Sequence, residues 1–457
     1  MERAHAGRTG EGGELLVTTV AVVGAGMSGL IAARELRRRG IDVLVLESAD
    51  RPGGRMRAET SVLGSRLDLG GQWVGHGHHR FEALAAELGT ALFPMRTPAR
   101  PDVVEGSRRI PAASPAVLTA GAVLLAWELR ARRPAPAAWA SRTVGARLRK
   151  VPGRRARRLL DVLVSVTSTA DLDRYSMHAF AEAIRYQGGL ATMMATSGGA
   201  QDKLIVEGAG TLTERLAAEP GARVLTGRRV TRIRRDDDGV TLDTASGIVQ
   251  AARAIVTVPP PVAAGIAHDP PLPASRTALE RNTYMGSVHK AVAVYERPFW
   301  RARRKHAEFM VLDRPGSAVF DTTPPGGPGH LCFLVAGPEA RELDRLDTGS
   351  RRRALLRPLA PHLGPEVLAP ADWHEKAWHL DEHVGGGYAA LASPGSTDGY
   401  FPVSSRPIGT LHWAGTETAD EHAGYVEGAI ASGERAAREV AESLSRATAG
   451  GSAADAT

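Results

Sequence analysis

Cysteine is almost absent. Cys332 is the only one in 457 residues. A single thiol excludes an internal disulfide and any metal site built from several cysteines. It suits a reducing compartment, and the expected location is cytoplasmic. Lysine is scarce as well. Lys150, Lys203, Lys290, Lys305 and Lys376 are the only five, so 52 of the 57 basic residues are arginine. With abundant Ala, Gly and Pro, this bias fits a GC-rich bacterial genome. No apolar run reaches the ~18 residues of a membrane-spanning helix. The most hydrophobic one, Ala116 to Trp127, is short and flanked by Pro and Arg. The first residues, MERAHAGRTGEGGE, lack the apolar centre of a signal peptide and read as a flexible leader over 1–17. Internal repeats are missing too. At 43% hydrophobic and 23% charged, the chain is a globular protein with length for two or three domains.

The most informative stretch runs from Thr18 to Arg57. Val20 to Val23 is a short apolar run, read as a buried parallel strand. Gly24-Ala25-Gly26-Met27-Ser28-Gly29 follows, a G-x-G-x-x-G turn. A helical pattern then runs to about Arg39, with Gly40 as its cap. Val43 to Leu46 is a second strand, closed by Glu47. Gly24, Gly26, Ser28 and Gly29 would bring the backbone and a helix N-terminus to a pyrophosphate. Glu47 is placed to accept hydrogen bonds from a ribose hydroxyl. This unit predicts a dinucleotide, NAD or FAD, and does not choose between them.

The rest of the chain alternates in character. Phe81 to Leu88 reads as a short helix, and 115–132 and 154–168 as longer ones. His76, His78 and His79 have no acidic or Cys partners at metal-ligand spacing, so a polar loop and no metal are expected. Between Arg130 and Arg158 there are eleven basic residues and no acid. That run is read mainly as a solvated face, with an acidic partner as the sharper alternative. Across the wider region 95–160, Trp127 and Trp139 are the only aromatics, which argues against nucleic acid. Asp171 to Ala200 reads as a helix and then a Gly-containing loop, with Met193 and Met194 as core fillers. A helix over 212–218, a strand region over 224–234 and a strand over 254–258 return to α/β character. Residues 283–300 read as one strand with an internal lysine. In the last block, Val426, Ile430, Gly433, Ala437, Val440 and Leu444 form a helical stripe. A polar tail from Ala447 is expected to be disordered.

Glu47-Ser48-Ala49-Asp50-Arg51-Pro52-Gly53-Gly54-Arg55 resembles the flavin-dependent amine oxidases of the monoamine oxidase type. The likeness recurs in order along the chain. It takes in Asp68-Leu69-Gly70-Gly71-Gln72-Trp73, then Gly208-Ala209-Gly210 with Arg229-Val230. Met285-Gly286-Ser287-Val288-His289-Lys290 follows, then Trp378 and Gly385-Gly386-Gly387-Tyr388. It closes on Ala414-Gly415-Thr416-Glu417-Thr418 and Gly424-Tyr425-Val426-Glu427-Gly428. The resemblance implies FAD and an α/β flavoprotein of two domains, both discontinuous. The Rossmann-type FAD-binding domain would take 18–90, 205–280 and 381–446. A mixed α+β substrate domain would take 91–204 and 281–380, leaving 447–457 as tail.

The same resemblance assigns roles. Gly70, Gly71, Gln72, Trp73, Val230, Trp378, Gly415, Thr416, Glu417 and Val426 would contact the cofactor, and Arg55 would meet its pyrophosphate. Lys290 would sit near flavin N5 and assist reoxidation by oxygen. Tyr388 and Tyr425 would flank the amine, offering π-faces to its nitrogen. The membrane-bound relatives link flavin to a cysteine just before the tyrosine. Here that position is Gly387, so the FAD should be non-covalent. The expected reaction is oxidation of a primary or secondary amine by hydride transfer, giving an imine and hydrogen peroxide. Alternatives are an L-amino-acid oxidase, for which Arg108 and Arg109 are candidate carboxylate partners, a flavin desaturase or dehydrogenase, and a non-catalytic flavin module. The expected partners are a small-molecule amine and molecular oxygen, with neither nucleic acid nor a membrane span. Oligomeric state is open, a homodimer included.

Overall fold

The computed structural model describes residues 7–8, 14–96, 100–302, 304, 306–396 and 403–454. The chain divides into two units, each built from separate segments. The first holds Met1–Arg55, Leu212–Asn282 and Pro402–Thr457; the second holds Met56–Thr211 and Thr283–Phe401. The chain thus crosses between units after residues 55, 211, 282 and 401, where the sequence reading puts the crossings near 90, 204, 280 and 380.

In the first unit, Val20–Val23 is the buried end of a longer strand, Glu14–Val23. It lies between parallel strands Val43–Leu46 and Gly247–Val256, so both its edges are satisfied. Val224–Leu225 extends the sheet beyond Val43–Leu46, also in parallel. Gly247–Val256 changes neighbour along its length. Its first half pairs antiparallel with Val240–Thr244, and its last three residues pair parallel with Leu411–Trp413. The expected strand over 254–258 is therefore the end of a ten-residue strand that stops at Val256. The region 224–234 is also two strands, Val224–Leu225 and Val230–Arg235, because they have different partners.

Helix Met27–Arg38 follows the glycine turn and packs on helix Val426–Ala454. The stripe predicted for the latter is largely inward. Ile430, Gly433, Ala437 and Val440 are buried, while Val426 and Leu444 are partly so. Gly433 is needed for the close crossing. A Cβ there would stand 2.5 Å from the Ser28 carbonyl oxygen. The helix does not end at Ala447 as expected but runs on to Ala454. Ala447, Ala449, Ala453 and Ala454 are strong helix formers and carry it past Gly450 and Gly451. Residues 455–457, like most of the expected leader, lie outside the described residues. Glu14–Val17, however, already belongs to the first strand.

The second unit is built on a seven-stranded sheet. Its order is Asp372–Ala377, Val288–Tyr295, Gly329–Ala336, Ser317–Asp321, Phe309–Val311, Asp102–Glu105 and Arg108–Ile110. All pairs are antiparallel except Phe309–Val311 with Asp102–Glu105. Val288–Tyr295 is buried along its whole length. Val288, Val292 and Val294 join the core formed with helices Pro115–Ala131, Arg154–Ser168 and Met177–Tyr186, and Ala291, Ala293 and Tyr295 join the opposite core. The predicted helices at 115–132 and 154–168 are therefore present. The helix expected from Asp171 starts only at Met177, capped by the Ser176 hydroxyl, and a short helix Leu190–Met194 follows. Residues 283–300 are not one strand. Thr283–Gly286 pairs with Gly387–Ala392, and after Ser287 the chain switches partner to Gly329–Ala336. Ser287 N–H donates to the Thr169 carbonyl oxygen at the switch.

Candidate active site

In the first unit the glycine turn is shaped by its surroundings. Gly24 has φ +105°, and a Cβ on it would stand 2.7 Å from Thr257 Oγ1; one on Gly29 would stand 2.0 Å from the Gly24 carbonyl oxygen. Gly26 is different, because a Cβ there would meet nothing within 4 Å. It is also the N-cap of helix Met27–Arg38 and makes no side-chain cap bond. The Ser28 hydroxyl lies 3.0 Å from that of Ser432 and accepts the Gly415 N–H at 2.9 Å. It ties the glycine turn to the closing loop.

Glu47 is buried. Its carboxylate accepts the Ala25 N–H at 2.7 Å on one oxygen and the Ala49 N–H at 2.8 Å on the other. The Ser48 hydroxyl also donates to it, at 3.3 Å; a carboxylate has about four acceptor positions, so capacity remains for a further hydroxyl donor. The Arg228 N–H donates to the Glu47 carbonyl oxygen at 2.7 Å, and Val230 is buried just beyond. Arg55 makes a bidentate pair with Glu417, at 2.7 and 3.2 Å. Gly415, at φ +116°, opens the turn that buries Thr416 and Glu417. The Thr416 hydroxyl donates to the Tyr425 carbonyl oxygen at 2.7 Å and accepts the Gly424 N–H at 2.8 Å, fixing the loop that ends at Tyr425. Tyr425 is partly buried, and that burial raises the pKa of its phenol.

In the second unit the central feature is Lys290, 3% exposed in the middle of a buried strand. Its Nζ donates to the Gly70 carbonyl oxygen at 2.8 Å and to Gln72 Oε1 at 2.5 Å. Gln72 Nε2 lies 4.0 Å from Cys332 Sγ on the neighbouring strand. Burial lowers the Lys290 pKa from the ordinary lysine value, and charge on Cys332 and Asp68 opposes this. Asp68 responds in the opposite sense. Burial raises its carboxyl pKa, against Lys290 and the N–H groups of Gly210 and Ala209, which bond it at 2.9 and 2.7 Å. The Trp73 ring lies 5.5 Å from Lys290 Nζ and meets Phe320 edge-on. Trp378 is a buried residue whose indole N–H donates to the Leu69 carbonyl oxygen at 2.7 Å. A small, partly open cavity of about 20 Å³ is lined by Asp68, Gln72, Arg66, Thr322 and His330 among others.

Tyr388 is the second residue of the strand Gly387–Ala392, which pairs with Thr283–Gly286, and burial raises its phenol pKa well above the usual value. The preceding Gly387 has no room for a side chain, since a Cβ would stand 2.7 Å from Val288 Cγ1. Its carbonyl oxygen accepts the Thr169 hydroxyl at 2.6 Å. Arg108 and Arg109 lie exposed on the edge strand Arg108–Ile110, with Arg109 paired to Asp102.

Residues 27–441 match the sequence model of the flavin containing amine oxidoreductases. The chain belongs to that family. Among relatives, the Mycobacterium tuberculosis protein that bears the name flavin-containing monoamine oxidase AofH is 38% identical over 444 residues, covering 93% of this chain and 97% of its own. An L-amino acid dehydrogenase of Synechocystis is 31% identical, over 92% of this chain and 94% of its own. Among solved structures, cyclohexylamine oxidase of Brevibacterium oxydans matches with a TM-score of 0.86 and 28% identity, over 94% of this chain and 99% of that one. As a member of the amine oxidoreductase family, the chain is an enzyme, an α/β flavoprotein of two discontinuous domains. Among the described residues, no helix is long and apolar enough to cross a membrane.

The residues present fit the flavin nucleotide of this family. Packing within the chain explains glycine at positions 24 and 29 but not at 26, where the space is open. A group approaching that backbone and the uncapped helix N-terminus accounts for it. Glu47, with acceptor capacity left beside the turn, suits a ribose. Asp68 and Cys332, whose charge acts on Lys290, and His330, at the cavity, have no role assigned from sequence. Asp68 stands in the same segment as Gly70, Gly71, Gln72 and Trp73, and its partners, the Ala209 and Gly210 N–H groups, come from elsewhere in the chain. Cys332 counted only as a missing disulfide. His330 carries no motif, and only the strand register brings it beside the cavity.

Proposed function

We propose that the chain oxidises a primary or secondary amine, using FAD held non-covalently. Oxygen is the electron acceptor in this reading. The products are an imine, which water hydrolyses to an aldehyde or ketone, and hydrogen peroxide. The observation that carries it is Lys290, a buried cation held by Gly70 and Gln72, in an amine oxidoreductase chain. Bound FAD would supply the acceptor for the hydride that leaves the carbon bearing the amine nitrogen.

The residues' own tasks follow from their chemistry. Gly24, Gly26, Ser28 and Gly29 shape the turn for the pyrophosphate, and Glu47 accepts from the ribose. Val230 packs toward the adenine half. Gly70, Gly71, Gln72, Trp73, Trp378, Gly415, Thr416, Glu417 and Val426 line the rest of the cofactor. Arg55 orients Glu417 through their bidentate pair, rather than serving the pyrophosphate alone. Lys290 has a third hydrogen-bonding direction beyond its two acceptors, and in this proposal it fixes a water there. Tyr388 and Tyr425 offer ring faces to a neutral amine nitrogen, and their raised phenol pKa keeps both uncharged. Gly387 supports the non-covalent state, since a cysteine in its place would press on Val288.

Purified protein should be yellow, and acid precipitation should leave its flavin in the supernatant. Anaerobic mixing with an amine panel should bleach the flavin, and readmitted air should restore colour with release of peroxide. A second reading, oxidation of an L-amino acid, is favoured by the Synechocystis relative. It needs a cation for the substrate carboxylate. Arg109 is exposed and already paired with Asp102, which weighs against it in that role. Bleaching by amino acids alone would establish this second reading. Slow recolouring in air without peroxide would indicate a dehydrogenase.

A further inference from the structure

The helix Pro115–Ala131 is apolar on both faces. Its inner face buries Ala120, Trp127 and Ala131, with Trp127 meeting Phe180 edge-on at 5.3 Å. The outer face carries Leu118, Leu125 and Leu129, which are 60%, 58% and 51% exposed. At 3.6 residues per turn these three lie within about 40° of one another around the axis. Ala122 and Gly121, also exposed, fill the space between them. Three half-exposed leucines on one stripe are not scattered surface residues.

Charge surrounds one end of this stripe. Arg132, the C-cap of the helix, and Arg133 follow directly. Both are exposed, as are Arg142, Arg147, Lys150 and Arg154 further along the basic run. None of the six has a carboxylate partner among the described residues. The other members of the run are used internally. Arg130 stacks on Trp139, Arg149 pairs with Asp173, Arg155 with Glu105 and Arg158 with Glu339, and Arg157 donates to the Val151 carbonyl oxygen. Glu128, the helix's only acid, accepts the Leu190 N–H. The outer stripe therefore presents apolar side chains and positive charge with no acid between them.

We propose that this helix docks on an anionic phospholipid surface, lying in the interface with its leucines among the acyl chains and its arginines at the headgroups. An interfacial helix needs an exposed apolar face and cations beside it, and both are present. A second copy of the chain is the other apolar occupant. Pairing two such stripes would bring uncompensated arginines together, which opposes it. Single-stranded nucleic acid would want aromatic faces, and the exposed stripe has none. Docking leaves the family fold and the proposed chemistry untouched.

The test is sedimentation of the full-length protein with vesicles. Vesicles of phosphatidylcholine and phosphatidylglycerol should pull it down at least about tenfold better than phosphatidylcholine alone. High salt should weaken that binding. The triple variant L118S/L125S/L129S should lose tenfold or more, roughly one buried leucine's worth. Its melting temperature should be unchanged, because these side chains are outside the core. R132S/R133S should lose the preference for the anionic lipid. The proposal is overturned if the wild type sediments with neither vesicle, or if the triple variant binds as well as wild type. It is equally overturned if the stripe proves to be a protein interface, seen as a dimer that the triple variant dissociates with no lipid binding.

Discussion

Lys290 concentrates the chemistry of the second unit into one side chain. A buried ammonium needs acceptors, and the Gly70 carbonyl and Gln72 amide supply them. In Lys290→Met both acceptors lose their donor. Reoxidation by oxygen should slow by about 100-fold, the size of effect expected of a positioned proton-handling group, while flavin content changes little. Stopped-flow recolouring of reduced enzyme reads this, and an unchanged rate would remove Lys290 from the reaction. Glu47 is the matching residue of the first unit. Glu47→Ala should weaken flavin retention about tenfold or more, the value of a charge-assisted hydrogen bond, as read by titration of apoprotein with FAD. His330 sets an acid limit on stability. It is buried on the Ser65 hydroxyl at 2.8 Å, and burial lowers its pKa to about 4. The unfolded chain then binds a proton that the folded chain refuses. Stability is complete above about pH 6.5 and is lost as pH falls towards 4, by up to about 3 kcal/mol from this group. Melting curves at neutral and acid pH should show the loss, and His330→Gln should reduce it without removing it, since burial lowers His268 to about 4 as well.

At the scale of elements, the crossing of helices Met27–Arg38 and Val426–Ala454 decides how the glycine turn is held. Gly433→Ala would set a methyl 2.5 Å from the Ser28 carbonyl oxygen and 3.2 Å from the Ala32 nitrogen. Overpacking of this kind costs about 1–3 kcal/mol, so the melting temperature should fall and flavin retention with it. The same helices show what could be read in advance. The Val426 helix announces itself by a stripe at three- and four-residue steps, and the glycine turn by its spacing, since both signals are local. Strand limits were less legible. Gly286 is the one local sign of a break near Ser287, and the break itself is set where Thr169 and two different partner strands meet the chain. The longer Gly247–Val256 strand likewise depends on three neighbours supplied from elsewhere. For the site, residues inside motifs were found and those brought in by register, His330 and Cys332, were not. Asp68 shows the intermediate case, a visible residue whose role appears only when the Ala209 and Gly210 N–H groups arrive from 141 and 142 residues away.

On the scale of the whole molecule, two units are each assembled from segments far apart in sequence, and each carries part of the residue set tied to flavin chemistry. Glu47, Arg55, Glu417 and the glycine turn belong to the first; Lys290, Gln72, Asp68 and Tyr388 belong to the second. Family membership accounts for this division and for the order of motifs along the chain. It leaves the substrate to be settled by reaction. The central claim, oxidation of an amine with FAD, is tested most directly by anaerobic spectroscopy of the purified holoenzyme across matched amines and L-amino acids. Loss of the oxidised flavin absorbance with at least one primary or secondary amine, and with none of the amino acids, is the result predicted. Loss only with amino acids, or with neither class, would contradict it.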